Sequence, residues 1–327
     1  MQGFMALKVA AGAIVGAVGL GLIQDASAEN WPSRSVRIVV PFAAGGTTDV
    51  AARIIAQQLQ QSTGQPFVVD NRPGASGMIG SEYVARSTPD GYTLVMGSSS
   101  TKGSTKYLYS KLPYDPVRDF TPVSLVATSQ SFLVVHPSVP ATSVAELLQY
   151  IKQNPGKVNY SSAGIGTYHH MAGALLASMS GGEMTHVPYQ GGGPAFAALV
   201  GGQVQMMVAT ISEVGAYIDS DQCRVLAIIA PERSPSRPDL PSITEELPDF
   251  EVPLWVGLLA PANTPSELVS RISKAVADAV NQEAVSKKLV GLGFNPVGNS
   301  PEEYAKVLQS DLQKWPAIIK VSGAKFE

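Results

Sequence analysis

The run Val36-Arg37-Ile38-Val39-Val40-Pro41-Phe42-Ala43-Ala44-Gly45-Gly46-Thr47-Thr48-Asp49 opens as a β-branched stretch, breaks at a proline and a glycine pair, and turns helical. It reads as strand, tight loop and helix N-terminus. The first amides of a helix have no intrahelical partner and stand at the positive end of its macrodipole, so such a loop can hold an anion without a charged side chain. An anion-binding site outside the cytoplasm is the expectation.

Outward from this run, short apolar strands alternate with helical stretches, the pattern of βαβ units and a largely parallel sheet, hence an α/β fold. Apolar residues at helical spacing follow from Val50 to Gln61. Further strands are expected at Pro66 to Asp70 and Tyr92 to Met96, with a helix through Ile79 and Val84 between them. Two extended pieces, Pro122 to Val126 and Phe132 to Val135, suit a passage between lobes. A second block has strands at Val158 to Tyr160, Thr185 to Tyr189 and Val204 to Ala209, and helices at Val144 to Gln153, capped by Ser143, Tyr168 to Met179 and Ala195 to Leu199. Val225 to Ala230 and Trp255 to Ala260 flank a Pro-rich connector, Pro231 to Pro253, that leads back to the first lobe. Two C-terminal helices are expected: Pro265 to Lys288 with Thr264 as N-cap, and Pro301 to Trp315 with Ser300 and Glu303 as a capping box.

Location is read from the start of the chain. Lys8 precedes an apolar stretch from Val9 to Ile23 and then Ala26-Ser27-Ala28, the pattern of a secretory signal peptide over residues 1–28. The stretch is short and rich in Gly and Ala for a membrane anchor. The remainder, about 300 residues, exceeds what one core usually serves and points to two lobes. A net charge of −3 argues against a nucleic-acid partner, and the single Cys223 excludes an intramolecular disulfide or a cysteine-rich metal site.

A companion to the opening loop stands at Tyr160-Ser161-Ser162-Ala163-Gly164-Ile165-Gly166-Thr167-Tyr168-His169-His170, and a third Gly-rich loop at Pro188 to Pro194. Loops of this kind at strand C-terminal ends face a cleft in open α/β folds. Gly45-Gly46-Thr47 lacks the lysine of a phosphate loop, and the dinucleotide pattern is missing from it. Neutral amides and hydroxyls suit a carboxylate.

The chain resembles the periplasmic solute receptors of tripartite tricarboxylate transporters, the Bug-type receptors. The resemblance rests on Pro41 to Asp49, Asn71-Arg72-Pro73-Gly74, Pro89-Asp90-Gly91-Tyr92, Leu112-Pro113-Tyr114-Asp115-Pro116, the run Ser161 to His170, and His186-Val187-Pro188-Tyr189. It implies a two-lobed periplasmic-binding-protein fold of type II-like form, each lobe a mostly parallel sheet with flanking helices, and a ligand cleft between them. Lobe 1 would comprise 29–127 and 230–327, lobe 2 128–229. The implied function is capture of a small carboxylate, a di- or tricarboxylate or aromatic acid, and its delivery to a membrane permease, by a monomer without cofactor or metal.

Carried over by position, Phe42, Ala43, Gly45, Gly46 and Thr47 would line the first lobe's side, with Ser98 and Ser99 adding hydroxyls. Ser162, Gly166, Thr167, His170, Tyr189, Gly193 and Thr210 would line the second. Adjacent helical residues diverge by about 100°, so only one of His169 and His170 can face the ligand, and His170 holds the matched position. Asp49 is expected to be structural, accepting backbone amides rather than repelling a carboxylate. Many relatives carry an acid at the end of the strand occupied here by Val208-Ala209-Thr210, and its loss argues against an amino-acid ligand. Lys102 is expected to supply charge for a second carboxylate. Two other functions compete: a ligand-sensing partner of a membrane signalling protein, and a secreted hydrolase. The second lacks a Gly-x-Ser-x-Gly elbow or a His-Glu-x-x-His helix.

Overall fold

The computed structural model describes residues 31–234 and 237–322; the expected signal peptide lies outside them. In chain order the strands are β1 (Val36–Val40), β2 (Phe67–Asn71), β3 (Thr93–Ser98), β4 (Phe120–Ser129), β5 (Ser131–Val135), β6 (Val158–Ser162), β7 (Met184–Pro188), β8 (Met206–Thr210), β9 (Arg224–Ile228), β10 (Trp255–Pro261) and β11 (Phe294–Pro296). The helices are α1 (Thr47–Thr63), α2 (Met78–Ala85), α3 (Thr105–Leu108), α4 (Val144–Gln153), α5 (Tyr168–Ser180), α6 (Gly192–Val200), α7 (Ile211–Val214), α8 (Ser266–Asn281), α9 (Glu283–Gly291) and α10 (Pro301–Ser322). Among the described residues, no helix is long and apolar enough to cross a membrane.

Strand periodicity builds both sheets. In β1, Val36, Ile38 and Val40 face a core shared with α1 and α8, while Val39 faces the opposite core with Val84, Val95 and Tyr304. Both faces are covered, which is why the strand reads as an apolar run. In β5, Leu133 and Val135 enter one core, Phe132 and Val134 another. The first sheet has the order β11-β4-β10-β3-β1-β2 and the second β7-β6-β8-β5-β9.

The sheets are mixed rather than all parallel. β1 pairs in parallel with β2 and β3, and β6 with β7 and β8, whereas β10 and β5 run antiparallel to both neighbours. Each reversed interior strand is the one that arrives from the other sheet, so no helical crossover turns it round. The passage from β4 to β5 is the single residue Gln130. Its N–H donates to the Gly293 carbonyl (2.9 Å) and its carbonyl accepts from the Ile211 N–H (3.1 Å).

The connector after β9 stays with the second sheet, where the sequence reading assigned it to the first lobe. Ile228 N–H donates to Pro241 O (2.9 Å), and Leu240, Ile243, Leu247, Phe250 and Val252 pack into the second sheet's cores. Five apolar side chains spaced among the prolines carry that packing.

Helix ends follow local chemistry. The Ser143 hydroxyl caps α4 by accepting from Glu146 N–H, and Ser300 and Glu303 form the reciprocal box at α10. The helix expected over Pro265 to Lys288 is two, broken at the extended Gln282; Thr264 does not cap it, because its hydroxyl donates to Pro261 O (2.8 Å). α10 continues past Trp315 through Pro316. Proline has no N–H for the Leu312 carbonyl one turn back, and the Tyr107 hydroxyl donates to that carbonyl instead (2.9 Å). The first half of α10 packs Tyr304 and Leu308 on the first sheet; its second half places Trp315 and Ile318 in the second sheet's core.

Candidate functional site

Helix α1 starts at Gly46 and α5 at Thr167, both without a side-chain cap on their first amides. The Thr167 hydroxyl donates to Gly164 O (2.6 Å) instead. Both starts, together with Gly192 of α6, border one cavity of about 50 Å³ between the sheets. Phe42, Gly46, Thr47, Thr48, Ser98 and Ser100 form its first-sheet wall, Ala163, Thr167, Tyr168, His169, Gly192 and Thr210 its second-sheet wall, and Leu254, Trp255 and Val256 its floor. Phe42 and Ala163 also border an outer chamber of about 290 Å³, walled by Pro73 to Gly77, Tyr109, Gly164, Ile165 and Pro188 to Gln190. No Lys or Arg lines either chamber among the described residues, so the positive potential there is that of helix N-termini, beside hydroxyl donors.

The opening loop is held from behind. Asp49 accepts from Gly45 N–H, Arg53 Nε and Asn71 Nδ2, each at 2.9 Å. Burial alone would raise its pKa, but these donors and the Arg53 charge hold it below the usual range. Gly45 has φ +86°, a left-handed backbone that favours glycine; Gly46 does not.

The second loop has its own support. Ser162 Oγ accepts from Gly164 N–H (3.1 Å) and lies 2.6 Å from His186 Nε2, while Gly166 N–H donates to His170 Nδ1 (2.9 Å). The two imidazoles stack at 3.9 Å. Burial, and for His170 also the charge of His186, pulls their pKa values down to about 3 and about 4, so both are neutral and His170 can accept the amide. The lobes touch directly where Thr47 Oγ1 donates to Thr210 Oγ1 (2.8 Å) and Ser104 Oγ to Gly166 O (2.5 Å).

Of the sequence-derived residues, Phe42, Gly46, Thr47, Ser98, Thr167 and Thr210 line the inner chamber and Phe42 and Tyr189 the outer one. Gly45, Ser162, Gly166 and His170 line neither chamber. Ala43 abuts Gly191, Gly193 is one residue past the lining Gly192, and the Ser99 hydroxyl is buried without a partner. It is His169, not His170, that borders the cavity. Lys102 does not reach it: a π-helical turn, Ser100–Ser104, directs the side chain inward beside Gly97, and Nζ lies over the Phe120 ring, 2.9 Å from its centroid.

Sequence reasoning missed Glu213. Its carboxylate, fully buried, lies 3.1 and 3.2 Å from His169 Nε2 and accepts from Thr210 N–H at 2.7 Å. Burial raises its pKa, but the His169 charge and these hydrogen bonds bring it below the ordinary value. Glu213 stands four residues beyond Ala209, in the first turn of α7. The Thr210-x-x-Glu213 capping-box spacing is the signal that marks it.

The chain is similar to known receptors in sequence and in fold. The family described as tripartite tricarboxylate transporter family receptor matches residues 51–324. The chain is 33% identical to the protein BugT of Bordetella pertussis over 309 residues, 94% of this chain and 95% of that one. It superposes on the R. palustris protein Rpa4515, solved with adipate, with a TM-score of 0.87 at 36% identity, covering 90% of this chain and 100% of the other. For MatC of Rhodopseudomonas palustris, solved with malate, the TM-score is 0.83 at 35% identity, covering 88% and 100%.

Proposed function

The chain belongs to the tripartite tricarboxylate transporter receptor family, and on that premise we propose that it closes its two lobes on a small carboxylate in the chambers between its sheets. The observation that carries this reading is the meeting of the α1 and α5 N-termini at one cavity that no Lys or Arg lines. Receptors of this family bind solutes and are not enzymes, and the relatives solved with adipate and malate support a carboxylate as the ligand. The inner chamber would take the carboxylate on free amides and hydroxyls, with the outer chamber receiving the rest of the molecule. Closure makes both sets of contacts at once, so ligand shifts the hinge equilibrium toward a surface that a membrane permease recognises.

In this reading residues 1–28 are a leader removed on export to the periplasm, and the mature receptor is a monomer. Mass spectrometry of the exported protein and sedimentation test both. Ligand class is tested by thermal unfolding of refolded protein against mono-, di- and tricarboxylates, aromatic acids, amino acids and phosphate esters. A ligand at about 100 times its dissociation constant adds about 2.7 kcal/mol. Selective stabilisation by one carboxylate group is the expected result; stabilisation by phosphate esters alone would overturn the reading.

A further inference from the structure

The outer chamber is walled from both lobes, and the turn that lobe 1 contributes has a backbone most side chains avoid. Gly74, Ala75, Ser76 and Gly77, between β2 and α2, have φ of +123°, +46°, +54° and +93°. Glycine adopts such a conformation freely; at Ala75 and Ser76 it is strained, because Cβ crowds the following carbonyl. Packing holds the turn at both ends. A Cβ on Gly74 would lie 2.6 Å from Ile79 Cδ1, and one on Gly77 would lie 2.8 Å from Thr101 Cγ2 and 3.3 Å from Phe42 Cζ. Across the turn, Gly77 N–H donates to Gly74 O (3.0 Å).

This turn brings the Ser76 side chain against lobe 2. Its Oγ would lie 3.2 Å from a Cβ at Gly164, a position whose own φ of +130° favours glycine. Both residues border the outer chamber and neither borders the inner one. A serine side chain from one lobe thus fills the space that a glycine leaves on the other, and the chamber is closed where they meet.

We infer that Ser76 sets the length of acid that the closed receptor encloses: with the carboxylate on the α1 and α5 amides, the far end of the molecule runs out against the Ser76–Gly164 contact. The inference rests on the carboxylate-receptor reading above. A turn packed at both ends cannot give way to an oversized ligand, so a single excess methylene should cost about tenfold or more in affinity.

Isothermal titration with two homologous series tests this: succinate, glutarate, adipate, pimelate and suberate, and benzoate with its para-methyl, para-ethyl and para-propyl derivatives. Wild type is expected to bind up to a given length in the series it accepts and to lose about tenfold or more at the next homologue. Ser76→Gly suits the left-handed backbone and so keeps the fold; it should bring that first excluded homologue within about threefold of the longest accepted one. Ser76→Asn, a larger residue that also tolerates this backbone, should move the limit to a shorter homologue. An unchanged limit in Ser76→Gly overturns the inference, whatever the absolute affinities, as does a wild type that accepts every member of a series without a limit. Silence toward every carboxylate overturns the receptor reading itself.

Discussion

Replacing Lys102 by Met should stabilise the protein. The side chain is 1% exposed, its amine has no hydrogen-bond partner, and Nζ lies against the rings of Phe120 and, at 5.8 Å, Tyr114. Burial pushes its pKa well below the ordinary lysine value, and the Asp119 charge offsets only part of this. In the unfolded chain the amine binds a proton up to about pH 10.4, and each pH unit by which the fold depresses that value costs about 1.36 kcal/mol below it, so that at pH 7 the ceiling is about 4–5 kcal/mol. Favourable cation–π contact and the Asp119 field reduce the ceiling, leaving about 2–4 kcal/mol for Lys102→Met, whose side chain has nearly the same volume and no charge. The sign is fixed by linkage. The unfolded state binds more protons, so wild-type stability rises with pH through the window between the depressed folded value and about 10, and the Met variant lacks that slope. Urea titrations from pH 6 to 10 read the difference directly. A variant no more stable than wild type at pH 7, or a gap that fails to narrow toward pH 10, would refute the reasoning.

Three further outcomes are expected. Gly46→Val should leave folding intact, since a Cβ there meets nothing nearer than Ala43 O at 3.9 Å, but it fills the cavity and should cost more than tenfold in carboxylate affinity, against a few-fold for Thr47→Ala in the same titration. Acid should destabilise the protein as pH falls from about 6.5 toward 4, because neutral His170 and His186 resist protonation in the folded state; His186→Gln should make that acid limb shallower in a pH series of denaturation curves. Ser300→Ala removes the acceptor for Glu303 N–H and should lower stability by about 1 kcal/mol, measured as a shift in urea midpoint at constant slope.

Local chemistry made much of the fold legible. The Val36 to Asp49 run shows strand, loop and helix start because each step is written in residue type, and Ser143, Ser300 and Glu303 mark helix starts by side-chain reach alone. What depended on direction or distance was not legible. β10 has the composition of any buried strand, and nothing in Trp255 to Pro261 says that it runs against its neighbours. The choice between His169 and His170 turned on the phase of α5 relative to the cleft, which the helical period leaves open until neighbouring elements set it. Lys102 looked like a partner for a ligand carboxylate because burial of a lysine requires the gap that Gly97 leaves, and that gap exists only once β3 and the π-helical turn pack together. Glu213 escaped because its burial beside His169 depends on how α5 and α7 pack, and only the cap spacing from Thr210 marks it in the sequence.

The path of α10 across both sheets governs the order in which the molecule can be completed. Leu108, far upstream, meets Trp315 and Ile318, near the other end, in the same core. A chain delivered N-terminus first presents residues 131–228 long before that lid exists. The second lobe must therefore wait, its core open on one side, until the last helix has emerged and docked. Until α10 docks, one face of that core stays uncovered, so the segment that forms the second sheet remains accessible to whatever handles the growing chain.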